Sequence, residues 1–257
     1  MFTKRIFLKN SMALAGCSLL PLSANAELPT RKSKALILVS LADNQYQGIV
    51  PIPASLGDGQ NHNTNLYWGA LYGVRNYFQR HKNFIVTKSD KFLEMKGRLE
   101  TIQITPKNHL NFEIDAIAFD GRFQQRTISS FYKFLSGTSH KYDLIIFVGH
   151  NALMEVENIF PFDNPRNKPS EGFTPKAAVI ACASKSYFHE TITTKTNAIP
   201  YVLTSGNMAP EAYVVDGILD AWMNDQGPEV ARLYAAKKYA QYQKIPLRNA
   251  KWLFQAS

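Results

Sequence analysis

The chain has 257 residues, of which 45% are hydrophobic and 19% charged, and its formal net charge is +9. That length and apolar content are enough for a full core in one large domain or two small ones, which excludes a disordered or low-complexity protein. The positive charge forms no Lys/Arg cluster and no basic stretch interleaved with aromatics, so no nucleic-acid partner is expected.

At the amino end, Lys4, Arg5 and Lys9 precede a mostly small or apolar stretch from Ser11 to Leu22, and Ala24-Asn25-Ala26 has the small-x-small form of a signal peptidase site. This segment is too short to stay as a membrane span. Residues 1–26 therefore read as a cleaved export signal, and 27–257 as a single α/β domain with C-terminal helices and no integral membrane span. The stretch "TKRIFLK" is similar to the twin-arginine export motif, with Lys4 in place of the first arginine. A competing reading takes Leu14-Ala15-Gly16-Cys17 as a lipoprotein box, although the apolar run before Cys17 is short. Both readings predict a periplasmic or secreted protein. Cleavage would remove three cations and no acid, lowering the charge from +9 to +6. It would also leave Cys182 as the sole cysteine in a compartment that favours disulfides.

"KALILVSLADN", 34–44, has the form of a strand buried on both faces and ending in a turn at Asp43-Asn44. The next stretch, "GIVPIPASLGDGQNHN", is too broken by Pro and Gly for regular structure. In 64–80 a helix is predicted from the spacing of Leu66, Ala70, Val74 and Phe78, with Asn63 or Asn65 as its cap and Gly69 and Gly73 allowing close approach to a sheet. "NFIVT" reads as a second strand; "TIQIT" and "NFEIDAIAF" read as a hairpin or an antiparallel edge. A helix from Asp120 follows, stopped by Gly137. Strands are then expected at 143–150, 176–182 and 199–206, with a Pro/Asn-rich loop at 160–173 and a helix in "APEAYVVDGILDAWM", where Pro210 suits the first turn. "GPEVARLYAAKKYAQYQ" and "PLRNAKWLF" read as two further helices. Strands alternating with helices imply right-handed crossovers, so the predicted fold is a three-layer α/β arrangement whose mostly parallel sheet is flanked by helices, caspase-like or flavodoxin-like.

In such a sheet, binding and catalytic groups gather beyond the carboxyl ends of the strands. Asp43, His150, Cys182 and Thr204-Ser205 all fall at that edge. If the strands at 143–149 and 176–182 are neighbours, His150 and Cys182 emerge side by side. An imidazole near a thiol raises its reactive thiolate fraction, since a thiol with a pKa of about 8.5 is mostly protonated at neutral pH. Acyl transfer also needs donors for the oxyanion, and the backbone N–H groups of Asn151 and Cys182 are the expected ones. Ser184 joins Asp43, Thr204 and Ser205 as an expected substrate-binding residue.

Apolar strand, His-Gly, spacer, then apolar strand and Ala-Cys is a pattern that resembles the caspase-like cysteine peptidases, the superfamily of caspases, gingipains, clostripain and legumain. The matching stretches are "LIIFVGHN" and "AAVIAC", with His150 on the family's histidine, Cys182 on its nucleophile and Ala181 on the alanine before it. The resemblance spans roughly 34–206 and implies a hydrolase of peptide bonds needing no metal or organic cofactor. Here Asn151 replaces the family's glycine after histidine, which puts the oxyanion hole in question. The resemblance also makes Asp43 a positional choice for a group attracting a basic side chain.

Other readings stand beside this one. A cysteine ending an apolar strand is commonly packed in the core, and His150 after Gly149 can be a hydrogen-bonded turn residue. The protein would then be a non-catalytic periplasmic ligand-binding protein, or an envelope interaction module docking through the aromatic helix 64–80. "GDGQNHN" lacks the second acid and distal glutamate of a calcium loop, and the histidines at 62, 81, 109, 140 and 189 have no metal-ligand spacing. The substrate expected at the strand ends is a peptide or small molecule.

Overall fold

The computed structural model describes residues 32–137, 142–156, 159 and 172–256, all within the unit Arg31–Ser257. The expected export signal, Cys17 and most of the expected 160–173 loop lie outside the described residues.

In chain order the elements are β1 (Ser33–Ser40), α1 (Val74–Arg80), β2 (Phe84–Lys88), β3 (Arg98–Pro106), β4 (Phe112–Phe119), α2 (Gln124–Leu135), β5 (Leu144–Val148), β6 (Lys176–Ile180), α3 (Ser184–Lys195), β7 (Ile199–Thr204), α4 (Ala212–Met223), α5 (Pro228–Gln243), α6 (Leu247–Leu253) and β8 (Phe254–Gln255). They build one eight-stranded sheet in the order β2-β3-β4-β1-β5-β6-β7-β8. The five inner strands from β4 to β7 are parallel. Antiparallel strands finish both edges, β3 and β2 on one side and β8 on the other.

The apolar runs explain this centre. From Ala35 to Ser40 every residue of β1 is buried, as a strand covered on both faces requires. Its side chains alternate between two cores: Ala35, Ile37 and Val39 pack under α1, α4 and α5, while Leu36 and Leu38 pack under α2 and α3. Two helical layers enclose the sheet, so the fold is the expected three-layer α/β arrangement.

Local readings mostly match. β3 and β4 form the hairpin expected in the middle of the chain, and Gly137 ends the helix region at φ +65°. Pro210 lies just before the Glu211 cap of α4 rather than in its first turn, and Pro228 opens α5 instead.

The helix expected over 64–80 is much shorter. Only Val74–Arg80 is helical, and 64–73 is a series of turns. Two side chains draw the chain out of a helix. Asn65 is fully buried; it donates to the carbonyls of Ala42 and Asp58 and accepts from the Ala42 and Tyr67 amides. Trp68 is also fully buried, and its indole N–H donates to Glu100 on β3 at 2.6 Å, beside Arg75 at 3.0 Å from the same oxygen. Gly69 makes the tight return possible: a Cβ there would sit 2.1 Å from the Asn63 carbonyl oxygen. Tyr67, Trp68, Tyr77 and Phe78 are buried in the core, not presented to a partner.

Candidate active site

β5 and β6 are hydrogen-bonded neighbours whose register pairs Leu144 with Lys176 and Val148 with Ile180. That offset of 32 residues is also the spacing of His150 and Cys182, so both stand two positions beyond the last pair. The Gly149 amide continues the ladder to the Ile180 carbonyl at 3.2 Å. The Asn151 side-chain amide then donates to the Cys182 carbonyl at 2.8 Å, fastening the two tips together. Val148 and Ile180 share one core layer, and the Cys182 sulfur lies against Met208 of that same layer.

Local geometry fixes each tip. Gly149 has φ +153°, and a Cβ there would come 3.0 Å from the Ser40 carbonyl oxygen, so the turn into His150 requires glycine. Asn151, at φ −94°, needs no left-handed backbone; it is fully buried, and its side-chain oxygen accepts from the Leu153 amide at 3.1 Å. After Cys182 the left-handed residue is Ala183, at φ +47° immediately before α3. Below it, Ser184 Oγ donates to the Val179 carbonyl at 2.9 Å, and Thr204 Oγ1 bonds the Ala181 carbonyl and accepts from the Ser184 amide.

Cys182 is partly exposed, and its sulfur faces the backbone of Met208, with the amide nitrogen at 3.4 Å and the carbonyl oxygen at 3.6 Å. A thiol donates to that carbonyl, whereas a thiolate accepts from that amide, so the loop after β7 serves both protonation states. His150 is buried to 8% exposure; its Nε2 lies 2.6 Å from Glu155 Oε1, which also accepts from the Gly48 amide at 3.0 Å. An ionised carboxylate only accepts, so Nε2 donates in this contact. The His150 carbonyl accepts from the Gln124 side chain on α2. No hydrogen bond joins His150 to Cys182. Among the described residues, neither the Asn151 nor the Cys182 backbone N–H donates to another protein group.

The remaining expected site residues are not gathered around the sulfur. Asp43 is 4% exposed and accepts from the Gln45 and Tyr46 amides at 2.8 and 3.0 Å, so it caps the turn after β1. Ser184 and Thr204 are fully buried and support the Cys182 turn from below, leaving no hydroxyl facing a substrate. Ser205 bonds the Trp252 carbonyl. Among the described residues no three His, Cys, Asp or Glu side chains gather as a metal site, and Asp58 and Asn61 cap turns at Gln60 and Asn63.

Two acids near the tips were missed from sequence. Glu155 follows His150 by five residues, and the short 3-10 turn Ala152–Met154 brings it back to the ring. It is the only acid in "HNALMEV", the one signal that could have found it. Glu211 stands at the N-cap position of α4, where its side chain instead accepts from Tyr213 and Gln243. Burial holds its carboxyl above the usual range. Burial also raises the Tyr67 and Tyr239 phenols, and both sense Cys182 and Glu211, which puts these four groups in one neighbourhood. The chain matches no protein-family model, no curated protein and no solved structure.

Proposed function

We propose that the protein is an exported cysteine hydrolase of the caspase-like type, acting on peptide or related acyl bonds, with Cys182 as nucleophile and His150 as base. The observation that carries this reading is the register: His150 and the partly exposed Cys182 each stand two positions beyond the last residue pair of the adjacent parallel strands β5 and β6. A lone thiol in an exported chain also has a purpose in this reading.

Nδ1 of His150 takes the thiol proton while Nε2 remains bonded to Glu155. The thiolate adds to the substrate carbonyl carbon, and the negative oxygen is held by the Asn151 and Cys182 backbone N–H groups. Collapse of this adduct breaks the bond to the leaving amine, which receives the proton from the imidazolium. Water, deprotonated by the imidazole, then cleaves the thioester and releases the acid. Asn151 serves here in place of glycine because its side chain locks the two tips at an ordinary φ.

A second reading, a non-catalytic binding protein, is favoured by one fact: thiol and imidazole each have another partner and do not touch. Iodoacetamide alkylation separates the two. A hydrolase gives Cys182 labelling well above that of a free-thiol peptide, at least about tenfold slower in His150→Ala and absent in Cys182→Ala. Labelling no faster than the peptide, or unchanged in His150→Ala, favours the binding protein.

A further inference from the structure

A cavity of about 820 Å³ opens between α2 and the turn around Phe92–Lys96, reaching the loop after β5. Its walls are of two kinds. Phe92, Met95, Phe123 and Phe134 give it an apolar body. Among the described residues four cationic and two acidic side chains line it, so cations are in excess there. One acid, Glu155, is committed to His150 and the Gly48 amide. Among the cations, Arg122 is held by Asp120 at 2.7 Å, whereas Arg126 stands over the Phe123 ring at 5.1 Å and has no acidic partner among the described residues.

An apolar body with surplus cationic charge selects a ligand of matching build. We propose that this cavity binds an amphipathic organic anion, a carboxylate or phosphate head on an apolar ring or chain, and that its occupancy is felt by the His150 loop. Three wall residues carry the connection. Gln124 donates to the His150 carbonyl, Ala152 begins the turn after Asn151, and Glu155 grips Nε2. A ligand seated here packs against the groups that set the ring's position. The cavity belongs to the layer of α2 and α3, opposite the core containing Met208, the sulfur's partner, and Cys182 is not among its described lining residues. Neither half of this proposal requires Cys182 to be catalytic.

The test is a fluorescence titration of the purified chain with anilinonaphthalene sulfonate, a ring-bearing anion, followed by displacement with dodecanoate and with naphthoate. Saturable binding is expected, weakened about tenfold in Arg126→Ala and lost in Ser129→Trp, which fills the cavity; circular dichroism and melting show that both variants are folded. Displacement by dodecanoate assigns a chain-bearing ligand, and displacement by naphthoate a ring-bearing one. Non-saturable binding, or binding unchanged in both folded variants, overturns the site. The imidazole proton signals of His150, identified by their loss in His150→Gln, are expected to shift as the probe saturates. Saturation without that shift overturns the connection to His150.

Discussion

Glu155 decides which nitrogen of His150 is free to act, because a carboxylate 2.6 Å from Nε2 fixes the proton there. Glu155→Gln keeps an acceptor but loses the charge, so the ring is less firmly oriented. Alkylation of Cys182 is expected to fall about 10- to 100-fold, part of the roughly 10² to 10⁴ that a positioned acid–base group supplies. The melting temperature is expected to hold, since the Glu155 side chain is 40% exposed; an unchanged alkylation rate would leave Glu155 without this role. Glu211 gives a pH prediction of known sign. Burial raises its folded pKa above the unfolded value of about 4.3, so the stability it contributes is fully present below that value and lost as pH rises through the folded one. Melting curves of Glu211→Gln against the parent should therefore diverge with rising pH, the variant gaining relative to the parent; a constant difference would refute this. The placement of His150 and Cys182 just beyond strand ends was legible because both end apolar runs. Glu155 and Glu211 were not, because a returning turn and a burial-shifted acid at an N-cap position leave no periodic trace.

At the level of elements, the sequence showed strands better than it showed their surroundings. β1, β5 and β6 announce themselves as short apolar runs, but nothing in 64–73 warns that Asn65 and Trp68 seek partners in other strands and break the helical spacing. The antiparallel edge carries a comparable hidden demand. Asp115 on β4 is fully buried and meets Lys91 at 3.0 Å and the Tyr142 hydroxyl at 2.8 Å, while Glu113, at the rim, shares the same lysine. The hydrogen bond from Lys91 holds the Glu113 carboxyl below its usual range. Lys91→Met leaves Asp115 with only a phenol for compensation. A loss of about 2–3 kcal/mol in urea unfolding is expected, at or below the low end for breaking a buried pair because Lys91 itself is 41% exposed. Glu113→Gln should cost under about 1 kcal/mol, as rim pairs do. Equal losses in the two variants would show that Asp115 does not depend on the lysine.

For the molecule as a whole, the parallel centre was legible from alternating strands and helices, whereas the adjacency of β5 and β6 was only a condition of the sequence reading and is shown by their ladder. The finish of the far edge was not. "PLRNAKWLF" reads as a helix, and α6 is one, yet its last residues leave it to lie against β7 as β8, pairing Thr204 with Phe254 and Leu203 with Gln255. Two residues are too few for an alternating pattern, so only the structure reveals them. This return places Phe254 in the main core with no exposure, and it lets the Ser205 amide reach the Leu253 carbonyl at 2.9 Å. The sheet is thereby closed beside the loop whose Met208 faces Cys182. Ending the chain after Ile245 removes both α6 and β8 and leaves β7 as a bare edge, a template for pairing with another chain. The truncated protein is expected to self-associate with rising concentration in sedimentation velocity. Phe254→Ala, which keeps the backbone pairing, should stay in the parent's oligomeric state and lose about 3–5 kcal/mol of stability. If the truncated protein sediments as the parent does at every concentration, β8 is not what guards that edge; if Phe254→Ala associates as well, core packing rather than strand pairing holds it closed.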